Sequence, residues 1–328
     1  MLVTCFCIFN CNIFKIKESY IMNNVITLNN FAVNNSSLTG IEWPELTDKT
    51  DFHAVLSPVY DRLVKYPHSE YKEEPLGRFV KRTDNGRNLG IVSSTYGIAD
   101  NAPLYDMIKQ GAEVALPREA LRDIKLTERS SFGGQFTRID LLFSGLGADI
   151  RQLSGSSTQL LFKIGLTNSF NGGGSIRLFS GSEDLWCTNG CTSAEYHKKS
   201  ARHTSGFTPS IFAGFIEEQC SQFLTRVNTW RQWAQKSITP EQAEAVLNDC
   251  GMAGRKVKLM MEQMEREAHD RGRTVWALYS ALTAYSSHAT DFPVRNSSNV
   301  DNIAVTLDTR EREVARIVGS EQFLRLAG

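Results

Sequence analysis

The stretch Thr158–Cys187, TQLLFKIGLTNSFNGGGSIRLFSGSEDLWC, decides how this chain is read. Two alternating apolar runs, LLFKIGL and SIRLFSG, flank Asn171-Gly172-Gly173-Gly174. Asn and Gly accept positive φ, so the four residues read as a turn between antiparallel strands with one buried face. The same grammar recurs upstream. Asp84-Asn85-Gly86 sits between two apolar runs, and Gly133-Gly134 divides LRDIKLTERSSFGGQFTRIDLLFSG. Between these hairpins, APLYDMIKQGAEVAL carries Leu104, Ile108, Ala112 and Ala115 at helical spacing. DFHAVLSPVYDRLVKY also has helix-like spacing, with Pro58 as a break.

After Thr208 the pattern changes. Thr208 reads as an N-cap and Pro209 as the first residue of a long amphipathic helix, and Thr239-Pro240 repeats that start. Two more helices follow, RKVKLMMEQMEREAHDRGR and TVWALYSALTAYSSH, with His288 at the end of the second. Trp230, Trp233, Trp276, Tyr279 and Tyr285 fall at core-like spacing, which favours packing over base stacking. Strands first and helices after is an α+β order, an antiparallel β-meander of hairpins packed against C-terminal helices. The expected organisation is an extension over 1–50, disordered or begun upstream of the true start at Met22, and then one α+β domain over 51–290. Its strands span about 78–187 and its helices about 208–288, and 291–328 form a polar linker and a charged C-terminal helix.

Composition narrows the function classes. The 328 residues carry 36 Lys plus Arg against 36 Asp plus Glu, so the total charge is not that of a strongly basic nucleic-acid binder. Seven cysteines, an odd number without a dense framework, argue against a secreted disulfide scaffold and for thiols in the cytoplasm. The lysines near the N-terminus follow the apolar run, the reverse of a signal peptide, and no segment reaches the ~20 apolar residues of a membrane span. No phosphate-binding glycine motif stands at a strand-to-helix junction. No carboxylate pair stands out as an acid–base couple, so the expectation is a non-catalytic protein without a cofactor.

The densest chemistry lies in Asp184–Phe207, DLWCTNGCTSAEYHKKSARHTSGF. Cys187, Cys191, His197 and His203 are zinc-ligand types. Only five residues separate Cys191 from His197, however, where a zinc finger has about a dozen. A catalytic thiol needs a fixed base beside it, which nothing local provides. The third reading is an anion grip. His197, Lys198, Lys199, Arg202 and His203 cluster ahead of a helix start, relieved only by Glu195, and Thr204, Ser205 and Gly206 leave room for a ligand to approach the backbone. The alternative is a solvated basic turn. The candidate site is therefore Lys198, Lys199, Arg202, His203 and Thr204, with Arg177 grouped from the preceding strand and no catalytic or metal-binding residue.

LTNSFNGGGSIRLFSGSEDLWCTNG, ARHTSGF and WALYSALTAYSSH together resemble the phage and plasmid-like family called domain of unknown function 932. The matching positions are Asn168-Ser169, Gly172–Gly174, Cys187, Asn189, Arg202-His203-Thr204, Trp276, Tyr279, Thr283 and Tyr285, and RTDNGRNLGIVSSTYGIADN fits the family's opening strand pair. The triple-glycine turn departs from the family, where an acidic residue usually precedes a glycine. The resemblance covers about 55–290 and implies a mobile genetic element of bacteria, without a reaction or cofactor. Two functions are then expected. One is a DNA-binding protein, single-stranded DNA favoured, that assists annealing or recombination. The other is an anti-defence inhibitor that binds a host protein. Oligomeric state stays open.

Overall fold

The computed structural model describes residues 40–59, 77–185, 189–192, 198–212, 214–288, 292 and 300–328. Two antiparallel sheets organise its first half. The smaller has the order β1 (Ala54–Val59), β2 (Gly77–Arg82) and β3 (Asn88–Val92). The Asp84–Gly86 turn, with Gly86 at φ +69°, closes its hairpin. Strand β1 corrects the helical reading of HAVLSPV. Over so short a run the two periods coincide, and pairing of Ala54 with Arg82 through Val59 with Gly77 decides for the strand. Pro58 is tolerated because β1 is an edge strand. Phe52, Ala54, Val80, Leu89, Val92, Tyr96 and Phe170 form the small core beneath.

Helix α1 (Asn101–Ala115) leads to the larger sheet, which contains β4 (Ile124–Ser131), β5 (Phe136–Arg151), β6 (Ser157–Ser169), β7 (Ile176–Asp184), β8 (Asn189–Thr192) and β9 (Lys198–Ala201). The first four form a meander, and β8 and β9 pair with successive parts of β7. In the turn before β7, the Asn171 side-chain oxygen accepts from the Gly173 N–H (2.8 Å) and the Ser169 hydroxyl (2.7 Å). The register sorts the side chains into two unlike faces. Ile139, Leu141 and Phe143 lie beside Leu166, Ile164 and Phe162 on one face. Arg138, Asp140, Lys163 and Arg177 share the other with Arg129 and Lys125.

Helices cover both faces. Against the apolar face lies α2 (Phe215–Gln235), with Phe223 edge-on to Phe162 at 5.3 Å. Next come α3 (Pro240–Asp249), α4 (Gly254–Arg271) and α5 (Val275–Ser287). Thr239 forms a full capping box with Gln242, as its Thr-Pro start suggests. Trp230, Trp233, Trp276, Tyr279 and Tyr285 are all buried in the main core. Against the polar face lies α6 (Ile303–Val318), whose first turn donates Ala304 N–H to the Ser131 hydroxyl (3.1 Å).

Two boundaries differ from expectation. Val314, Ile317 and Val318 of α6 and Phe323 of α7 (Glu321–Ala327) belong to the main core, so the C-terminal segment is part of the domain. Residues 40–50 pack as well. Trp43 contacts Tyr105 and Phe143 edge-on and donates to Glu113 (2.7 Å), and the Tyr105 hydroxyl donates to the Pro44 carbonyl (2.6 Å). The extension over 1–39, Cys187, His197 and most of the polar linker, residues 289–291 and 293–299, lie outside the described residues. Among the described residues no helix is long and apolar enough to cross a membrane, and no cluster of His, Cys, Asp or Glu is arranged to hold a metal.

Candidate nucleic-acid interface

The basic run is a strand, where the sequence suggested a turn. Lys198 pairs with Phe179, Lys199 with Leu178, Ser200 with Arg177 and Ala201 with Ile176, so the run forms a sheet edge. Alternation then splits the two lysines. Lys198 shares the polar face with Arg177, and Lys199 shares the apolar face with Leu178. Lys198 is exposed, Lys199 half-buried and Arg202 exposed.

Arg177 does not reach this surface. It is buried and donates to Asp308 of α6 at 2.6 Å, since the charged strand face faces a helix rather than solvent. Nor can His203 meet phosphate. The residue is 8% exposed and its ring stacks on Tyr96, centroids 4.8 Å apart and planes 14° from parallel. Burial pushes its pKa down to about 4, outweighing the Gly97 backbone, so the ring is neutral near pH 7. Thr204 stays exposed, and its carbonyl lies against Gly97, where an added Cβ would come within 2.1 Å of the oxygen. This close approach ties the basic segment to the chain leaving the small sheet.

The helix start is also displaced. Thr208 leads into a single 3-10 turn, Pro209–Phe212, and α2 begins only at Phe215 after Gly214 at φ +77°. A four-residue turn lacks the dipole of a long helix, so the N-terminal anion attraction expected there is weak. In its place is a groove of about 550 Å³ beside β9, lined by Arg202, Thr204, Phe207, Thr208, Ser210 and Ile211 among others. Among its described lining residues none is acidic. A second groove, about 560 Å³, runs between α1 and the start of α2, is largely apolar and includes Asp106 and Glu217. The two meet at Ser210.

Beneath the polar face sits a buried ion network. Arg138, 2% exposed, makes two bonds to Asp140 (2.7 and 2.9 Å) and two to Glu311 (both 2.8 Å). Its guanidinium also lies over the Phe179 ring, 5.0 Å from the centroid. Burial alone would raise the Asp140 pKa, but Arg138, Lys163 and Arg129 hold it down to about 2. Every carboxylate here is engaged by a cation, which suits a structural layer rather than an acid–base pair.

Residues 148–316 match the family described as Domain of unknown function (DUF932). The chain belongs to this family. No curated protein and no solved structure matches it. The DUF932 span opens within β5 and closes within α6, so it takes in β9, the groove, Asp308 and Glu311, and it extends further toward the C-terminus than the motifs alone indicated. DUF932 membership brings no reaction.

Sequence reasoning passed over Phe207, Ile211, Tyr96 and Gly97. Phe207 stood inside the quoted motifs and Ile211 just after the Thr208-Pro209 start, but only folding of the 3-10 turn brings them to one groove. The charged face of the large sheet was legible in IKLTERSS, where Lys125, Thr127 and Arg129 alternate with Ile124, Leu126 and Glu128.

Proposed function

We propose that this protein is a non-catalytic nucleic-acid-binding protein of a phage, prophage or plasmid, with single-stranded DNA as its main partner and a role in annealing or recombination. One observation carries the reading. Lys198, Lys199 and Arg202 stand on or directly after an edge strand, beside a groove whose described lining has hydroxyls and no carboxylate. A phosphate backbone could follow such an edge, and sequence-independent binding needs nothing more specific. The mobile-element setting rests on the motif resemblance.

The test is a gel shift with single- and double-stranded DNA at two salt concentrations. Three phosphate contacts to a single strand give a log–log salt slope of about −2. No shift at low salt on either form of DNA, or on RNA, overturns the reading. A second reading, an inhibitor that binds a host defence protein, is favoured by the apolar groove between α1 and α2, beside which Val114 is 75% exposed. Pull-down against host defence complexes tests it.

A further inference from the structure

We propose that the groove beside β9 is a nucleobase pocket, and that it makes the protein select single strands over duplex. The inference rests on the nucleic-acid reading above and adds the part of the ligand that charge cannot recognise. Lysines and arginines meet phosphates of either form. A base presents its π-face and its edge only where it is unstacked and unpaired.

The groove has the parts such a base requires. Phe207 is half-buried and lines it, and buried Phe212 braces the ring edge-on at 6.2 Å. Ile211, 48% exposed, adds apolar surface from the 3-10 turn. The Thr208 and Ser210 hydroxyls, 2.8 Å apart, offer donors and acceptors to a base edge without fixing its identity. Arg202 stands at the same groove for the adjoining phosphate. A volume of about 550 Å³ falls in the usual range of small-molecule sites, about 300–1,000 Å³. The neighbouring groove carries Glu217, and Asp106 paired with Lys109 at 2.6 Å, and no Lys or Arg among its described lining residues, so phosphate is better placed along β9 than along α1. The walls are held in advance. Gly97 clamps the Thr204 carbonyl, the Tyr96–His203 stack anchors the segment before it, and Phe207 N–H donates to that carbonyl at 3.0 Å. A preformed platform loses little conformational freedom on binding.

Fluorescence anisotropy on the full chain separates the outcomes. The probes are a labelled oligothymidine of about 20 nucleotides, the same length of duplex, and a strand of abasic residues that keeps every phosphate. The expected result is tighter binding to oligothymidine than to the other two. Phe207→Leu keeps bulk and removes the ring, and Ile211→Ser changes an exposed position. Phe207→Leu should weaken oligothymidine binding by about 5- to 100-fold, Ile211→Ser should weaken it by less, and both should leave duplex affinity and salt slope unchanged. If Phe207→Leu does not fold, Ile211→Ser and the abasic strand carry the test. Equal affinity for oligothymidine and the abasic strand, or unaltered binding by folded variants, overturns the pocket and leaves the phosphate edge standing. Failure of the parent protein to bind any probe at low salt overturns both.

Discussion

Tyr96 and His203 stack face to face, 4.8 Å between centroids, and so join the end of the small sheet to the segment that follows β9. The contact fixes a pH dependence. Burial lowers the folded-state pKa of His203 to about 4 from its ordinary 6.5. The unfolded chain therefore takes up a proton first, and the histidine's contribution is complete above 6.5 and is lost as pH falls toward 4. The loss should be on the order of 3 kcal/mol across that window. Urea denaturation at a series of pH values checks it, and His203→Phe should flatten the profile in the same range.

Removing Arg138 should be far more damaging than removing a surface arginine. Asp140 and Glu311 would stay buried without their shared cation, a situation that costs about 3–5 kcal/mol. Chemical denaturation of Arg138→Met measures it. Replacing Arg138 and Glu311 together by apolar residues should recover much of the loss, because Asp140 keeps the Arg129 guanidinium at 3.0 Å and the Lys163 charge beside it.

Lys198→Ala, Lys199→Ala and Arg202→Ala combined should flatten the salt dependence of single-strand binding by about 2 units in log–log slope. Stability should change by less than about 0.5 kcal/mol, as expected of charges on an edge. An unchanged slope would remove β9 from the interface.

Trp43 anchors the residues before the small sheet. Trp43→Ala should cost about 2 kcal/mol, below the range for a fully buried tryptophan because this ring is only partly covered. A chain beginning at Phe52 should melt lower than one beginning at Gly40. Equal melting temperatures would show that residues 40–51 add nothing to the fold.

Gly97→Ala tests whether the basic segment is held in place from the small sheet. The new methyl would meet the Thr204 carbonyl at 2.1 Å, so either backbone must move. Amide hydrogen exchange around residues 202–207 should speed up, with smaller changes in the α2–α5 core.

The architecture was legible because its signals are local. Gly86, Gly133 and Gly172 turn where the sequence places them, and each has positive φ. Strand β9 was not legible, since KKSA has no apolar alternation and becomes a strand only because β7 offers a free edge. Arg177 and His203 were misplaced for a related reason. A charged or imidazole side chain reads as exposed until its partner is known, and those partners, Asp308 and Tyr96, lie 131 and 107 positions away in the chain. Thr208-Pro209 opens only a 3-10 turn, the Thr208 hydroxyl bonds Ser210, and the long helix expected there begins at Phe215 after Gly214.

The bond between Arg138 and Glu311 spans 173 positions. Hairpins can zip as soon as their own strands leave the ribosome, because each is closed by a local turn. The charged side of the larger sheet cannot dry out at that stage, for Asp140 alone faces its cations and the Asp308 and Glu311 carboxylates have not yet been made. Until α6 arrives, water must stay on that surface, and the chain remains a half-built sandwich open to chaperones and proteases. Commitment to the native state is thereby postponed to the last stretch of synthesis, and a protein cut short before residue 311 would be expected to be cleared rather than to persist as a stable fragment.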